Sequence, residues 1–239
     1  MSSRRPSRWF RRLVVTLVVL AVLAIVVDRA AAYVAENQLA SMADKEAKQY
    51  DVRSAGTSVK IGGFGFLPQL AKEDFSKVTL TMEKPTFSGV PGEDLKVELQ
   101  NVHVPRSLLT QQSGAVTIDT TDLQLQLSPR ELARLAVRST GLEGLSLAVV
   151  DGRLHAKASI RGFNLDVPIT PQVTDGRVAL ALGQMSDSIP SYVQDAIRSQ
   201  LATGITLPEL PFGAQLTGIR VVDNSVVVTA AAKDLKFNG

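Results

Sequence analysis

The sequence contains no cysteine and only two histidines, and aromatic residues make up just 5% of it. Without cysteine, disulfides and thiol catalysis are excluded, so the fold must be held together by its own core. His103 and His155 lie in separate strand-like segments and lack the spacing of a metal site. Because Val, Leu, Ile and Ala are plentiful, we expect an aliphatic interior, which suits either an ordinary core or a cavity for acyl chains.

An excess of positive charge is absent from most of the chain. The net charge is +3, and five arginines near the start more than account for it: Arg4, Arg5, Arg8, Arg11 and Arg12. The remainder is slightly acidic, so it lacks the basic stripe that nucleic-acid recognition requires. We therefore expect no nucleic-acid partner.

Motifs for catalysis and for cofactor binding are also missing. The serines do not form a G-x-S-x-G nucleophile elbow, and Gly62–Gly65 lacks the Lys-Ser/Thr pair and the helix of a phosphate-binding loop. Most acidic residues fall on predicted turns or on the polar side of strands, where exposure to solvent explains them better than a glycosidase-like pair does. We expect no enzyme, no metal site and no cofactor, and a hydrolase is the least favoured alternative.

What the sequence does have is an apolar run, Leu13–Val27, directly after the arginines. The run is shorter than the roughly 20 residues that span a bilayer comfortably. Trp9 and Phe10 can extend it at one interface, and Ala30–Val34 can extend it at the other. Arginines before an apolar run favour a cytoplasmic start, so we predict that everything after about residue 30 lies outside the cytoplasm.

Two interpretations of this run remain open. The run has the features of a cleaved signal peptide: a basic region, an apolar region and small residues at Ala30–Ala32 for the cleavage site. Cleavage there would leave a periplasmic protein. An uncleaved signal-anchor would leave a single-pass protein of the cell membrane. We favour retention, because the charged pair Asp28 and Arg29 lies close to the cleavage position. The predicted organisation is a cytoplasmic basic segment 1–12, a signal-anchor or signal peptide 13–32 and an exported domain 33–239.

A helix is predicted to continue out of the run over Ala30–Tyr50. Its apolar side chains recur at three- and four-residue spacing, which gives the helix one face to bury. These residues are Ala32, Ala35, Leu39, Met42, Ala43, Ala47 and Tyr50.

Two turns rich in glycine and proline carry bulky apolar side chains, Gly62–Pro68 and Leu207–Gly213. Glycine permits tight turning, and we expect Pro68 to stop any regular element. Because loops are usually polar, these apolar side chains need a place to go. They either close one end of the core, or line and gate an apolar opening.

The rest of the chain alternates as strands do, with one polar and one apolar side. The alternation changes phase near Asn101 and across Thr120–Asp122, which predicts a bulge or bend and hence a curved sheet. Hairpins are predicted at Asp151-Gly152, Asp175-Gly176 and Asp223–Ser225. One helix is predicted after Ser128, and another over about 188–201 with Tyr192 on its buried face. Pro168 predicts an edge or bulged position in its strand. The predicted fold is α+β, a long curved antiparallel sheet packed on about three helices after an N-terminal membrane helix.

The order of these segments resembles the actinobacterial lipomannan elongation maintenance family of periplasmic phospholipid-binding proteins. The more specific pieces are Val59–Leu70 (VKIGGFGFLPQL), Leu207–Gly213 (LPELPFG) and Leu216–Val221 (LTGIRV). The resemblance implies a tubular lipid-binding fold and a non-enzymatic envelope protein. It also implies binding of phospholipid, including the phosphatidylinositol type, in support of lipomannan-type glycolipids.

The candidate lipid-binding residues come from the apolar pattern. They lie on the first helix and on the two apolar turns: Leu39, Met42, Phe64, Phe66, Leu67, Leu210 and Phe212. An alternative use of the same turns is to dock a protein partner, which would make the chain an envelope scaffold.

Overall fold

The computed structural model describes residues 8–49, 51–87, 89–107, 114–160, 163–185, 190–202, 204–207, 210 and 213–238. Within these residues there are four helices: α1 (Arg8–Gln49), α2 (Phe66–Lys72), α3 (Pro129–Thr140) and α4 (Ser191–Ala202). The first strands are β1 (Val52–Arg53), β2 (Gly56–Gly62), β3 (Asp74–Glu83), β4 (Thr86–Phe87), β5 (Val90–Pro91), β6 (Asp94–His103) and β7 (Ala115–Leu127). The later strands are β8 (Ser146–Val150), β9 (Arg153–Ile160), β10 (Phe163–Thr174), β11 (Arg177–Leu182), β12 (Gln215–Val222) and β13 (Ser225–Asn238).

The described strands form three antiparallel sheets. A six-stranded sheet has the order β12-β13-β7-β6-β3-β2, a four-stranded sheet has the order β11-β10-β9-β8, and β1, β4 and β5 form a small third sheet. The predicted α+β class, with a long antiparallel sheet after an N-terminal apolar helix, is confirmed. The final hairpin is longer than its apolar pattern indicated, because β13 continues past Ala232 to Asn238 and pairs with β7 along that length.

Helix α1 has two different environments. Its large apolar side chains from Val14 to Val27 are all exposed, whereas Asp28 and Ala32 are buried against the rest of the protein. The helix is continuous across the boundary predicted between residues 32 and 33, where the exported domain was expected to begin. By length and composition α1 could cross a membrane, although a signal sequence would pass the same test.

Only part of the predicted face of α1 is buried. Ala32 is buried and Ala35, Ala43 and Ala47 are half-buried, whereas Leu39 is 39% exposed and Met42 56% exposed. The small alanine side chains let the helix backbone approach β2 closely. The longer side chains of Leu39 and Met42 lie on the exposed flank of the helix.

The inner face of the six-stranded sheet changes phase along a line that crosses three strands. On β6 the inward side chains switch between Leu99 and Val102, and Asn101 between them has φ 52°. Asn101 Nδ2 donates a hydrogen bond to Asp119 Oδ2 on β7 at 3.0 Å, and Asp234 on β13, in the same row, has φ 53°. The bend predicted near Asn101 is confirmed.

The interior consists of three apolar clusters. The helix cluster contains Ala32, Phe66, Phe75, Val102 and Ile118. The middle cluster contains Val52, Met82, Leu95, Val97, Leu123 and Ala230. The large cluster joins α3, α4 and the four-stranded sheet to the last residue of β7 and the first residues of β13. Along β7 the clusters follow one another at Ile118, Leu123 and Leu127, so together they cover the length of the sheet.

The local signals for turns and for one helix start are confirmed. Asp151, Asp175 and Asp223 each have positive φ in a two-residue hairpin turn. At the start of α3, the Glu131 N–H donates to Ser128 Oγ at 3.3 Å, as expected for an N-cap. These signals depend on residues that are adjacent in the chain.

Two local predictions were wrong. Pro68 does not stop regular structure; it lies in the first turn of α2, where a missing N–H costs no helical hydrogen bond. Tyr192 is exposed, whereas Ile197 and Leu201, which were predicted on the same face of α4, are buried. The edge position predicted at Pro168 is confirmed locally, because β10 pairs with β11 only from Ile169 onward and Pro168 pairs only with β9.

Candidate functional site

An apolar cavity of about 40 Å³ lies between the six-stranded sheet and the elements that cover it. The described residues that line it are all apolar: Phe87, Val90, Leu95, Leu123, Leu125, Leu127, Leu135, Leu207, Leu210, Val228 and Ala230. With no polar group among them, the cavity can recognise a ligand only by its apolar surface.

Strand register builds the floor of the cavity. Leu95 pairs with Leu125 across β6 and β7, and Leu123 pairs with Ala230 across β7 and β13. Since alternate residues point to one side of a sheet, these pairs present their side chains together on the inner face. The floor is therefore set by the long strands and is part of the most regular region of the protein.

The walls come from less regular elements. Leu135 is contributed by α3, and Phe87 and Val90 come from the small third sheet. Leu207 and Leu210 lie between α4 and β12, in a segment tied to the four-stranded sheet by the bridge from Ile205 to Val178. Leu207 and Leu210 themselves lie outside the helices and strands, unlike the other residues that line the cavity.

The cavity is small for a lipid. Its volume of about 40 Å³ is far below the roughly 300–1,000 Å³ of typical ligand pockets. An apolar void of this size marks a place where packing is incomplete. An acyl chain would require the wall formed by Leu207 and Leu210 to move outward.

The predicted site residues are divided among different places. Leu210 lines the cavity, whereas Phe66 is 8% exposed in the helix cluster, with its ring centroid 6.0 Å from that of Phe75. Phe64 is 95% exposed and Leu67 is also exposed, at the turn between β2 and α2. Leu39 and Met42 lie on the exposed flank of α1 as described above, and Phe212 lies outside the described residues.

Two carboxylates that the sequence analysis did not single out join α1 to the domain. The Leu67 N–H donates to Asp28 Oδ1 at 2.7 Å, and the Ile61 N–H donates to Glu36 Oε1 at 2.8 Å. Asp28 thereby satisfies a free N–H at the start of α2, and Glu36 satisfies one on the edge strand β2. Their eight-residue spacing, with Ala32 midway, places all three on one face of α1 and could have indicated this contact.

Each of the two histidines pairs with one aspartate on a strand. His103 Nδ1 lies 2.7 Å from Asp74 Oδ1, and His155 Nδ1 lies 3.2 Å from Asp166 Oδ1, on exposed strand positions. Hydrogen bonds from His155 and Lys157 lower the pKa of the Asp166 carboxyl, which is the effect of ordinary surface pairing. Among the described residues, no three His, Asp or Glu side chains are grouped to hold a metal.

A second depression, of about 300 Å³, lies between α4 and strands β10 and β11. Arg198 lines it, and its guanidinium is 3.5 Å from Asp195 Oδ1 and 3.5 Å from Gln194 Oε1. The described residues that line this depression include one cation, Arg198, and its charge is already compensated by Asp195.

The sheet, its covering helices and the cavity define an α+β protein with an apolar cavity against its long sheet. The sequence model of the LmeA-like phospholipid-binding family matches residues 26–231, and the chain belongs to this family. The match confirms the resemblance, and it includes Asp28 as well as every residue that lines the cavity. Comparison with curated proteins and with solved structures gave no match.

Proposed function

We propose that this chain is a membrane-anchored envelope protein that holds the acyl part of a phospholipid in the apolar cavity. The observation that carries the proposal is the wholly apolar lining of that cavity, in a member of a phospholipid-binding family. The floor of regular strands would hold the ligand, and the wall formed by Leu207 and Leu210 would open to admit it.

The apolar inner face offers a path longer than the cavity itself. Leu99 contacts both the helix cluster and the middle cluster, and Leu125 and Leu216 contact both the middle and the large cluster. A chain lying on this path would gain about 0.8 kcal/mol for each buried methylene. A dozen methylenes would therefore provide about 10 kcal/mol before the cost of opening the wall.

The candidate residues take different roles in this proposal. Leu210, together with Leu207, would gate the cavity, and Phe66 would close the far end of the path as part of the helix cluster. Leu39, Met42 and Phe212 remain predicted lipid contacts. Phe64 and Leu67 remain predicted lipid contacts too, and their exposure points to a lipid outside the cavity.

The anchor is proposed to be retained. Cleavage at Ala30–Ala32 would remove Asp28, which accepts the Leu67 N–H, and would interrupt the face of α1 that packs against β2. Retention would leave a single-pass membrane protein with residues after about 30 outside the cytoplasm, as the arginines before the run favour.

We also propose a non-enzymatic role in lipid or lipomannan-type glycolipid homeostasis, with lipids of the phosphatidylinositol type as ligands, which the family resemblance supports. Photocrosslinking would test the lipid part. The full chain is placed in vesicles containing phosphatidylinositol with a diazirine near the end of one acyl chain, and parallel vesicles contain the matching phosphatidylethanolamine. We expect lipid adducts on peptides from β6, β7 and β13, with more adduct from phosphatidylinositol.

Adducts confined to Val14–Val27 would contradict the cavity as the binding site. Equal yields from the two lipids would contradict only the headgroup preference. The alternative, in which the apolar turns dock a protein partner, would be favoured by lipid adducts confined to the apolar run, together with crosslinks from Leu207–Gly213 to a second protein in a parallel protein-crosslinking experiment on cell membranes.

A further inference from the structure

The turn from Gly63 to Leu67 combines strong exposure of apolar groups with a fixed backbone. Phe64 is 95% exposed, yet its neighbour Phe66 is buried. Gly63 has φ 96°, and a side chain there would meet Ser76 Oγ at 2.3 Å, so the turn requires glycine at this position and its backbone passes close to Ser76. An exposed phenylalanine on such a turn is held out from the protein surface.

The buried side chain of Gln69 fixes this turn from inside. Its Nε2 donates to the carbonyl oxygens of Gly62 at 3.0 Å and Gly65 at 2.7 Å, and its Oε1 accepts from the Ser76 N–H at 2.9 Å. These hydrogen bonds hold both sides of Phe64 in place. The exposure of the phenyl ring is thus a property of the folded turn and not of a loose loop.

The turn is attached to α1 at Asp28, and the position of Asp28 along the helix indicates what the Phe64 ring contacts. Asp28, which accepts the Leu67 N–H, is the first residue after the apolar run and the first buried residue from Val14 onward. The apolar run from Leu13 to Val27 is about 22 Å long at 1.5 Å per residue, and its first charged neighbours are Arg12 on one side and Asp28 on the other. If the run crosses a bilayer, the level of Asp28 is the level at which hydrocarbon ends.

From this geometry we infer that the Gly63–Leu67 turn rests on the bilayer surface and inserts Phe64 into it. Phe64 and Leu67 supply the apolar contact, and the exposed guanidinium of Arg29, which is paired with Asp28, lies at headgroup level. Asp28 acts as a positioning residue, because it fixes the turn to the membrane helix. The inference rests on the membrane anchor of the proposed function and assigns a second contact between the domain and the membrane.

The contact also orients the domain. The helix cluster lies beside the membrane, and the cavity lies further along β7, toward Leu127. A lipid leaving the bilayer at the turn would meet the apolar inner face at its membrane end.

Depth-dependent fluorescence quenching tests the inference with the full chain in phosphatidylcholine and phosphatidylglycerol vesicles. The absence of cysteine makes any introduced thiol unique. Phe64→Cys, Ile25→Cys and Tyr192→Cys are each labelled with an environment-sensitive dye, and lipids carry a nitroxide on the headgroup or near the start of an acyl chain. Ile25 reports on the run, and Tyr192 is an exposed aromatic on α4, away from the helix cluster.

We expect the dye at position 64 to lose more than half of its emission with both nitroxides, and the dye at position 192 to lose none. Quenching at position 25 without quenching at position 64 would overturn the inference and leave the anchor intact. Absence of quenching at both positions would overturn the inference and the anchor together, whereas lipid binding in the cavity is measured separately.

The positioning role of Asp28 has its own readout. Asp28→Ala in the Phe64→Cys chain should reduce quenching at position 64, and Asp28→Asn, which keeps an acceptor oxygen, should restore it. Quenching at position 25 is measured in the same variants. Equal quenching at position 64 in all three chains would contradict the role of Asp28.

Discussion

Asp28 Oδ1 accepts a hydrogen bond from the Leu67 N–H at 2.7 Å, across 39 residues of sequence. This contact joins the end of the apolar run to the first turn of α2. Asp28 is 8% exposed, so its charge needs partners inside the protein. That N–H is one partner, and Arg29 is another, with its Nη2 2.6 Å from Asp28 Oδ2. The apolar helix and the domain therefore form one structural unit at this point.

Replacement of Asp28 should destabilise the protein. In a fragment of residues 26–239, Asp28→Ala removes a hydrogen bond to a charged acceptor and leaves N–H groups of α2 without a partner, at a cost of about 1.5–3 kcal/mol. Urea unfolding measures the change. Asp44→Ala is the matched control, because its pair with Lys48 is an exposed i,i+4 contact that contributes about 0.3–0.5 kcal/mol. Equal losses in the two variants would contradict the structural role of Asp28.

Phe64 and Phe66 should differ sharply in their contribution to stability. Phe66→Ala removes a buried ring from the helix cluster and should lower the free energy of unfolding by about 3–5 kcal/mol. Phe64→Ala removes an exposed ring and should change it by less than about 0.5 kcal/mol. Thermal and urea unfolding of the same fragment compare them directly. A large loss in Phe64→Ala would show that its ring packs against the domain.

Thr121 should tolerate loss of its hydroxyl. The residue is fully buried on β7, and within the described part of the chain its Oγ1 has no hydrogen-bond partner. Valine has the same shape without the desolvation cost, so Thr121→Val should raise the free energy of unfolding by about 1 kcal/mol. Thr120→Val, a half-buried neighbour, should change it by less than about 0.5 kcal/mol. Destabilisation by Thr121→Val would mean that the hydroxyl has a partner in solution.

Glu98 should contribute to stability in a pH-dependent way. Hydrogen bonds from Lys77 and Lys96 lower the pKa of the Glu98 carboxyl in the folded state. Its contribution is therefore complete above the unfolded pKa of about 4.3 and is lost as the pH falls through the lower folded value. Glu98→Gln should cost about 0.5–1 kcal/mol at pH 7 and progressively less below pH 4. The free energy of unfolding is measured against pH for the unchanged chain and for Glu98→Gln. A constant difference between the two chains at all pH values would contradict the role of Glu98.

The features that sequence alone predicted are those set by neighbouring residues. The Asp151-Gly152 turn and the Ser128 N-cap depend on adjacent groups, and the bend at Asn101 was visible as a change in alternation along one strand. The burial of alanines on α1 was predicted in part. The periodicity did not fix the rotation of the helix, so Leu39 and Met42 were placed on the buried face although they are exposed.

The features that sequence missed depend on residues far apart in the chain. The cavity brings Phe87, Leu123, Leu135, Leu210 and Ala230 together, and nothing in their local pattern distinguishes them from ordinary core residues. Likewise, Asp28 looked like an obstacle to signal cleavage, because its partner Leu67 is identified only by the packing of α1 on β2 and α2.

The most direct test of lipid binding in the cavity is native mass spectrometry of the 26–239 fragment after detergent-free incubation with phospholipid vesicles. Ala230→Val fills the cavity floor, whereas Ala231→Val adds the same atoms on the other side of the same strand. We predict one-to-one phospholipid adducts on the unchanged fragment and on Ala231→Val, and a loss of most of the adduct in folded Ala230→Val. Equal adducts on all three chains, or no adduct on any of them, would contradict lipid binding in this cavity.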